Sequence, residues 1–256
     1  MFDLKNKVIL ITGGYGYLGS AMVDGLSEHN ATIIVLGRSI EKFNLKFKNI
    51  SNINFVDFDI SSSSDEIENI FKTIKNKYGR IDVIINNAFY LEPFKSVDKV
   101  EDFSFGKGIE GVLNSVHKCI KCITPIFKDQ NFGKIINVSS MYGVIAPDFK
   151  VYKGVENFTN PPQYGAAKAG VIQLTKYFAS LLGENNILVN SICPGAFPSE
   201  EVQKQTKFIK SLEEKTVLKR IGKPQDLKGI TVLLSSDDSN YITGQNFIID
   251  GGWTTI

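Results

Sequence analysis

The chain is dominated by short apolar runs with no in/out alternation, each followed by a longer stretch of helical spacing. Val8-Ile9-Leu10-Ile11, Thr32-Ile33-Ile34-Val35-Leu36 and Ile81-Asp82-Val83-Ile84-Ile85-Asn86 are of this kind. A strand with one solvated face alternates apolar and polar residues, whereas a strand covered on both faces does not. Similar runs occupy residues 53–57, 134–139, 187–192 and 246–249, with helical stretches predicted at 18–29, 65–78, 108–127, from 163 or 164 to 182, and 224–235. Strand and helix alternating along the whole length predict an α/β fold: a doubly wound parallel sheet of about seven strands with helices on both faces. No repeat, low-complexity tract or linker interrupts the 256 residues, so one domain is expected.

A formal net charge of +2 gives no broad basic surface for nucleic acid or anionic membrane. The basic stretches at 42–48 and 204–215 are interspersed with apolar or acidic residues and read as solvated helix faces. No apolar run approaches the roughly 18 residues of a membrane span, and the N-terminus lacks a signal pattern. Cys119 and Cys122 form a C-x-x-C in a helical context without a second pair or a nearby His, so core packing is expected and no metal site. An odd count of three cysteines suits a reducing, cytoplasmic compartment.

Thr12-Gly13-Gly14-Tyr15-Gly16-Tyr17-Leu18-Gly19 joins the first strand to the first helix. Glycines there let backbone amides approach a pyrophosphate, and the helix start supplies partial positive charge. The position, after a buried strand and opening a helix, makes this a Rossmann-type dinucleotide signal. The second strand ends in Gly37-Arg38, with no acid until Glu41. An acid at that point binds a ribose 2′-hydroxyl, whereas Arg accommodates a 2′-phosphate. NADP(H) is therefore the expected cofactor, with NAD(H) as the alternative.

Tyr164-Gly165-Ala166-Ala167-Lys168 opens a helix, and i to i+4 spacing puts the phenol and the ammonium on one face. A phenol of ordinary pKa, about 10, is a poor acid or base at neutral pH. A nearby ammonium favours the phenolate and lowers that value. Ser139-Ser140 ends the fifth strand at the carboxyl edge, where a hydroxyl can orient a substrate oxygen.

With these pieces in place the chain resembles the short-chain dehydrogenase/reductase family of the single-domain type. The supporting residues run from the Thr12-to-Gly19 turn through Asp59-Ile60, Asn86-Asn87-Ala88 and Asn137-Val138-Ser139-Ser140 to Tyr164 with Lys168. Pro194-Gly195, Thr243-Gly244-Gln245 and Asp250-Gly251-Gly252 complete the set. The resemblance implies roles. Tyr164 would be the general acid/base, Ser140 the partner of the substrate oxygen, and Lys168 the ligand of the nicotinamide ribose. Gly13, Tyr15, Gly16, Tyr17, Leu18 and Gly19 would hold the diphosphate, Arg38 a 2′-phosphate or the adenine face, and Asp59 with Ile60 the adenine. Asn87 and Ala88 would line a ribose, and Pro194, Gly195 and Ser199 would face the nicotinamide. It further implies a homodimer or homotetramer packed through the helices at 108–127 and 164–182.

Four departures from the family pattern stand out. Tyr17 replaces a glycine of the first turn, giving a spacing closer to epimerases and dehydratases. The central helix has Gly108 where the family has an Asn of the proton relay, and Asn114 lies about 240° around the helix from it. Phe89 replaces the Gly of Asn-Asn-Ala-Gly. Ser140 and Tyr164 are 24 positions apart, longer than the family norm, which marks a substrate-loop insertion near 144–162. Its mixture of aromatic and charged residues predicts a small polar, hydroxylated substrate, sugar-derived and in some forms phosphorylated or nucleotide-linked. Residues 139–147 are also similar to reductases of bacterial surface-sugar pathways. The expected function is an NADP(H)-dependent alcohol/carbonyl oxidoreductase. Two other classes stay open: a cofactor-binding sensor or partner subunit of weak activity, and a non-redox epimerase or dehydratase with tightly held cofactor.

Overall fold

A computed structural model describes residues 2–91 and 102–256. Seven parallel strands form one sheet in the order β3-β2-β1-β4-β5-β6-β7. They are β1 Val8–Thr12, β2 Thr32–Gly37, β3 Ile53–Asp57, β4 Val83–Asn86, β5 Gly133–Val138, β6 Ile187–Pro194 and β7 Asn246–Ile249. The apolar runs work as a two-sided core. Leu10, Ile34, Ile84 and Ile135 face one layer with Phe71, Ile120 and Phe127. Their neighbours Ile9, Ile33, Ile85 and Ile136 face the other, with Met22, Val23 and Leu26. Successive side chains of a strand point to opposite faces, so both must be apolar when both are covered.

The helices are α1 Tyr17–Glu28, α2 Ile40–Phe47, α3 Ser64–Tyr78, α4 Asp102–Ile109, α5 Ser115–Gln130, α6 Pro162–Leu182, α7 Thr206–Lys215 and α8 Lys228–Ser235. The start of α3 is fixed by a capping box. Ser63 Oγ accepts from Glu66 N at 3.3 Å, and Glu66 Oε2 accepts from Ser63 N at 2.9 Å. It stops at Gly79, whose φ of 79° is a left-handed cap. Cys119 and Cys122 pack in the core on α5, and burial pushes the Cys119 thiol up to about 12. No helix among the described residues is long and apolar enough to cross a membrane.

Two expectations need correction. The helix predicted at 108–127 starts earlier and is interrupted: α4 runs into a π-turn at Glu110–Asn114 before α5. A Cβ on Gly111 would lie 2.3 Å from the Tyr90 carbonyl oxygen, so the loop after β4 presses directly on this turn. Residues 204–215 are not simply a solvated face, because Phe208 and Leu212, one turn apart on α7, are buried. Residues 144–162 carry two short 3₁₀ turns, at Phe149–Tyr152 and Glu156–Phe158, and lie against α7. The Tyr152 and Phe158 rings sit 5.4 and 5.9 Å from that of Phe208, and Asp148 pairs with Lys215 at 2.5 Å.

The reversal of strand order between β1 and β4 opens a crevice at the carboxyl ends of the strands. A buried amide chain ties the elements behind it: Asn86 Nδ2 donates to Asn137 Oδ1 at 2.8 Å, and Asn137 Nδ2 donates to Thr175 Oγ1 at 3.0 Å. Asn137→Ala strands buried groups on β4 and α6 and should destabilise the fold by about 1–3 kcal/mol in urea unfolding. A variant as stable as the parent would show that the chain of amides is dispensable.

Candidate active site

The crevice is a cavity of about 590 Å³, lined from the first strand–helix turn to the loop after β6. Every residue that the sequence assigns to chemistry or to the dinucleotide lines it.

At one end the glycine turn folds back on the start of α1. Gly13 has a φ of 64°, and Gly16 N donates to Gly13 O at 2.9 Å. A Cβ on Gly19 would come within 2.6 Å of that same oxygen, so only glycine allows the approach. The turn is laced to the end of β4. Thr12 Oγ1 accepts from Asn87 N at 3.0 Å and Ala88 N at 2.9 Å, and Asn87 Nδ2 donates to Thr12 O at 3.0 Å. Gly16 caps α1 without a side chain. The first helical N–H groups therefore have no intrahelical acceptor and open on the cavity, as a diphosphate requires.

Tyr15 shapes the next section. Its hydroxyl accepts from Arg38 N at 3.0 Å and Ser39 N at 3.3 Å. A Cβ on Gly37 would meet the Tyr15 ring at 2.5 Å, which explains the glycine at the end of β2. The Arg38 guanidinium is 72% exposed and lies 3.6 Å from the Asp59 carboxylate. Burial works to raise the Asp59 pKa, but the Ser61 N–H and hydroxyl, with Arg38, hold it below its ordinary value.

At the other end Pro162 opens α6, and Tyr164 and Lys168 follow one turn apart. Ser140 Oγ accepts from Tyr142 N at 3.1 Å, and the Ser140 side chain neighbours the Tyr164 phenol and acts to lower its pKa. Lys168 Nζ donates to Val138 O at 2.7 Å, and Ser139 Oγ donates to Lys168 O at 2.8 Å. The ammonium lies 5.7 Å from the centre of the Tyr164 ring and 5.0 Å from that of Phe89. Burial pushes Lys168 down to about 8. The expected lowering of the Tyr164 pKa is outweighed. Burial raises it, and the Ser140 hydrogen bond only partly offsets that.

The departures acquire physical reasons. A Cβ on Gly108 would lie 2.3 Å from Gln163 Cγ, so the side chain preceding Tyr164 fills the space an Asn would need. Gln163 Oε1 is buried without a hydrogen-bond partner among the described residues. Phe89 stacks obliquely on Tyr164 at 5.9 Å. Tyr17 Oη accepts from Gln203 Nε2 at 3.0 Å, tying the glycine turn to the segment after β6. Sequence reasoning missed Tyr142, Phe208 and Leu212 as lining residues. Only the i, i+4 spacing of Phe208 and Leu212 carried a readable signal.

Lys168 gives a pH prediction. Its folded pKa, about 8, lies below the ordinary 10.5, so between these values the unfolded chain binds more protons and stability rises with pH. Urea unfolding of wild type and Lys168→Met at pH 7.5 and 9.5 should show wild type gaining on the variant at the higher pH. A constant difference would mean the lysine is not desolvated.

A family model described as enoyl-(acyl carrier protein) reductase matches residues 17–254. The chain is 32% identical to the 3-oxoacyl-[acyl-carrier-protein] reductase FabG of Thermotoga maritima, covering 97% of this chain and 98% of the relative. It is 29% identical to the 7alpha-hydroxysteroid dehydrogenase of Bacteroides fragilis, covering 99% and 96%. Among solved structures, a putative gluconate dehydrogenase from Agrobacterium tumefaciens superposes with a TM-score of 0.89 at 27% identity, covering 100% of this chain and 98% of that one. With its sheet order, glycine turn and full-length matches, this chain belongs to the short-chain dehydrogenase/reductase family and is an NAD(P)-dependent oxidoreductase.

Proposed function

We propose that the protein interconverts an alcohol and a carbonyl on a small, polar, sugar-derived substrate, with NADP(H) as the redox partner. The observation that carries this reading is the convergence of Ser140, Tyr164 and Lys168 on one end of the cavity, with the Lys168 ammonium against the phenol ring. A bound nicotinamide supplies or accepts the hydride. In the reducing direction the substrate oxygen takes hydrogen bonds from Ser140 and Tyr164, and the Tyr164 proton passes to it as its carbon gains the hydride. Lys168 stabilises the phenolate left behind, and solvent returns the proton. In oxidation the same proton travels back to Tyr164. The ε-ammonium has donors to spare beyond Val138 O for a ribose hydroxyl.

Arg38 supports NADP(H): it follows β2 directly, is largely exposed, and keeps guanidinium N–H groups beyond the single contact to Asp59 for a 2′-phosphate. Residues 144–162, resting on α7, form a wall of the substrate end. Exposed Tyr177 and Leu181 on α6 support a homodimer or homotetramer built through that helix and its α4–α5 neighbour. Three buried free cysteines among the described residues agree with a cytoplasmic setting.

Tyr164→Phe should lower kcat by about 10²–10⁴-fold while leaving NADPH affinity nearly unchanged in a fluorescence titration. Equal turnover would remove Tyr164 from the proton step. Arg38→Asp should weaken NADPH binding by about 10–100-fold and move preference to NADH. An unchanged NADPH/NADH ratio would show that Arg38 does not read the 2′-phosphate.

A further inference from the structure

We propose that residues 144–162 and α7 form a recognition chamber for an uncharged cyclic substrate, in which the Tyr142–Tyr152 hydroxyl pair donates to an oxygen remote from the reacting carbonyl. This rests on the oxidoreductase reading and narrows its substrate.

Proton counting gives the first reason. Tyr142 Oη and Tyr152 Oη are 2.7 Å apart, and their one mutual hydrogen bond uses one phenolic proton, whichever residue donates. The second phenolic proton lies outside that bond, and Tyr142 and Tyr152, only 8% and 4% exposed, face the cavity together with Asn160. A buried O–H left unused is costly, and both residues line the cavity. An acceptor oxygen on a ligand satisfies it.

Charge gives the second. The insertion's acids are already engaged: Asp148 pairs with Lys215 and accepts from Lys150 N, and Glu156 accepts from Gly154 N. Lys150 and Lys153 are exposed and do not line the cavity. Away from the adenosine end, Lys168 is the one charged residue among those described that lines the cavity, and it is committed beneath Tyr164. A phosphate or carboxylate bound beside these residues is desolvated without a counter-ion. The phosphorylated and nucleotide-linked forms expected from the insertion's composition therefore find no counter-ion among the described residues that line this end. The rings of Tyr152, Phe158 and Phe208, with Leu212, instead offer apolar faces to a ring-shaped ligand.

The test uses three ketones with NADPH or NADH: cyclohexanone, cyclohexane-1,4-dione and 4-oxocyclohexane-1-carboxylate. Per carbonyl, kcat/KM for the dione should exceed that for cyclohexanone by about tenfold and that for the carboxylate by about 100-fold. Tyr142→Phe keeps one free proton on Tyr152 and should keep the dione/cyclohexanone ratio. Tyr142→Phe/Tyr152→Phe removes both hydroxyls and should bring the ratio down to the intrinsic reactivity difference of the two ketones in solution. A ratio unchanged in the double variant, or a carboxylate used as well as the dione, overturns the proposal. If no ketone consumes the cofactor, the oxidoreductase reading fails and the chamber is read separately. In calorimetry on the NADPH-loaded Tyr164→Phe protein the dione should bind about tenfold more tightly than the carboxylate, and equal or reversed affinities overturn the proposal.

Discussion

Lys168 is held at two points before any ligand arrives. Its ammonium donates to the Val138 carbonyl, and its own carbonyl accepts from Ser139. The end of β5 and the first turns of α6 are thus fixed to each other, which places the Ser140 hydroxyl on the Tyr164 phenol. Burying a lysine at 3% exposure disfavours its charged form and lowers its pKa. The fold tolerates this because the site needs a cation there. Hydrogen bonds and the faces of Phe89 and Tyr164 recover part of what desolvation removes.

The dinucleotide end follows the same logic with backbone groups. The uncapped start of α1 would be a liability in a closed core, where unsatisfied N–H groups are costly. Opening on the crevice, it becomes a place for phosphate. Thr12 and Asn87 hold the turn in position through side-chain bonds to the end of β4. Tyr17 and Gln203 join it to the far wall, so both ends of the cavity share a boundary.

Much of this was legible in the sequence because burial on both faces erases alternation. Val8–Thr12 and Val83–Asn86 could hardly be anything but central strands. The residues of the candidate site were legible for a related reason: parallel topology brings strand ends to one edge, so Thr12, Arg38, Asn87, Ser140 and Pro194 converge there. What stayed hidden depends on contacts between irregular segments. The π-turn at Glu110–Asn114 arises where Tyr90 presses on Gly111. Gln163 fills the space above Gly108 only because α6 crosses α4 there. The Tyr142–Tyr152 pair depends on how successive 3₁₀ turns wind, which no periodicity announces. The direction of the Tyr164 shift was also hidden, because burial and the Ser140 bond oppose each other and only their relative size decides it.

The central claim is that hydride and proton reach one C–O centre, the hydride from the cofactor and the proton through Tyr164. Single-turnover reduction of a ketone substrate with NADPH dideuterated at C4, followed by NMR of the product, tests it most directly. The account predicts one deuterium on the new carbinol carbon, delivered to a single face, with one cofactor oxidised per product. Product formed without deuterium, or with no net cofactor oxidation, would contradict it and point to non-redox chemistry.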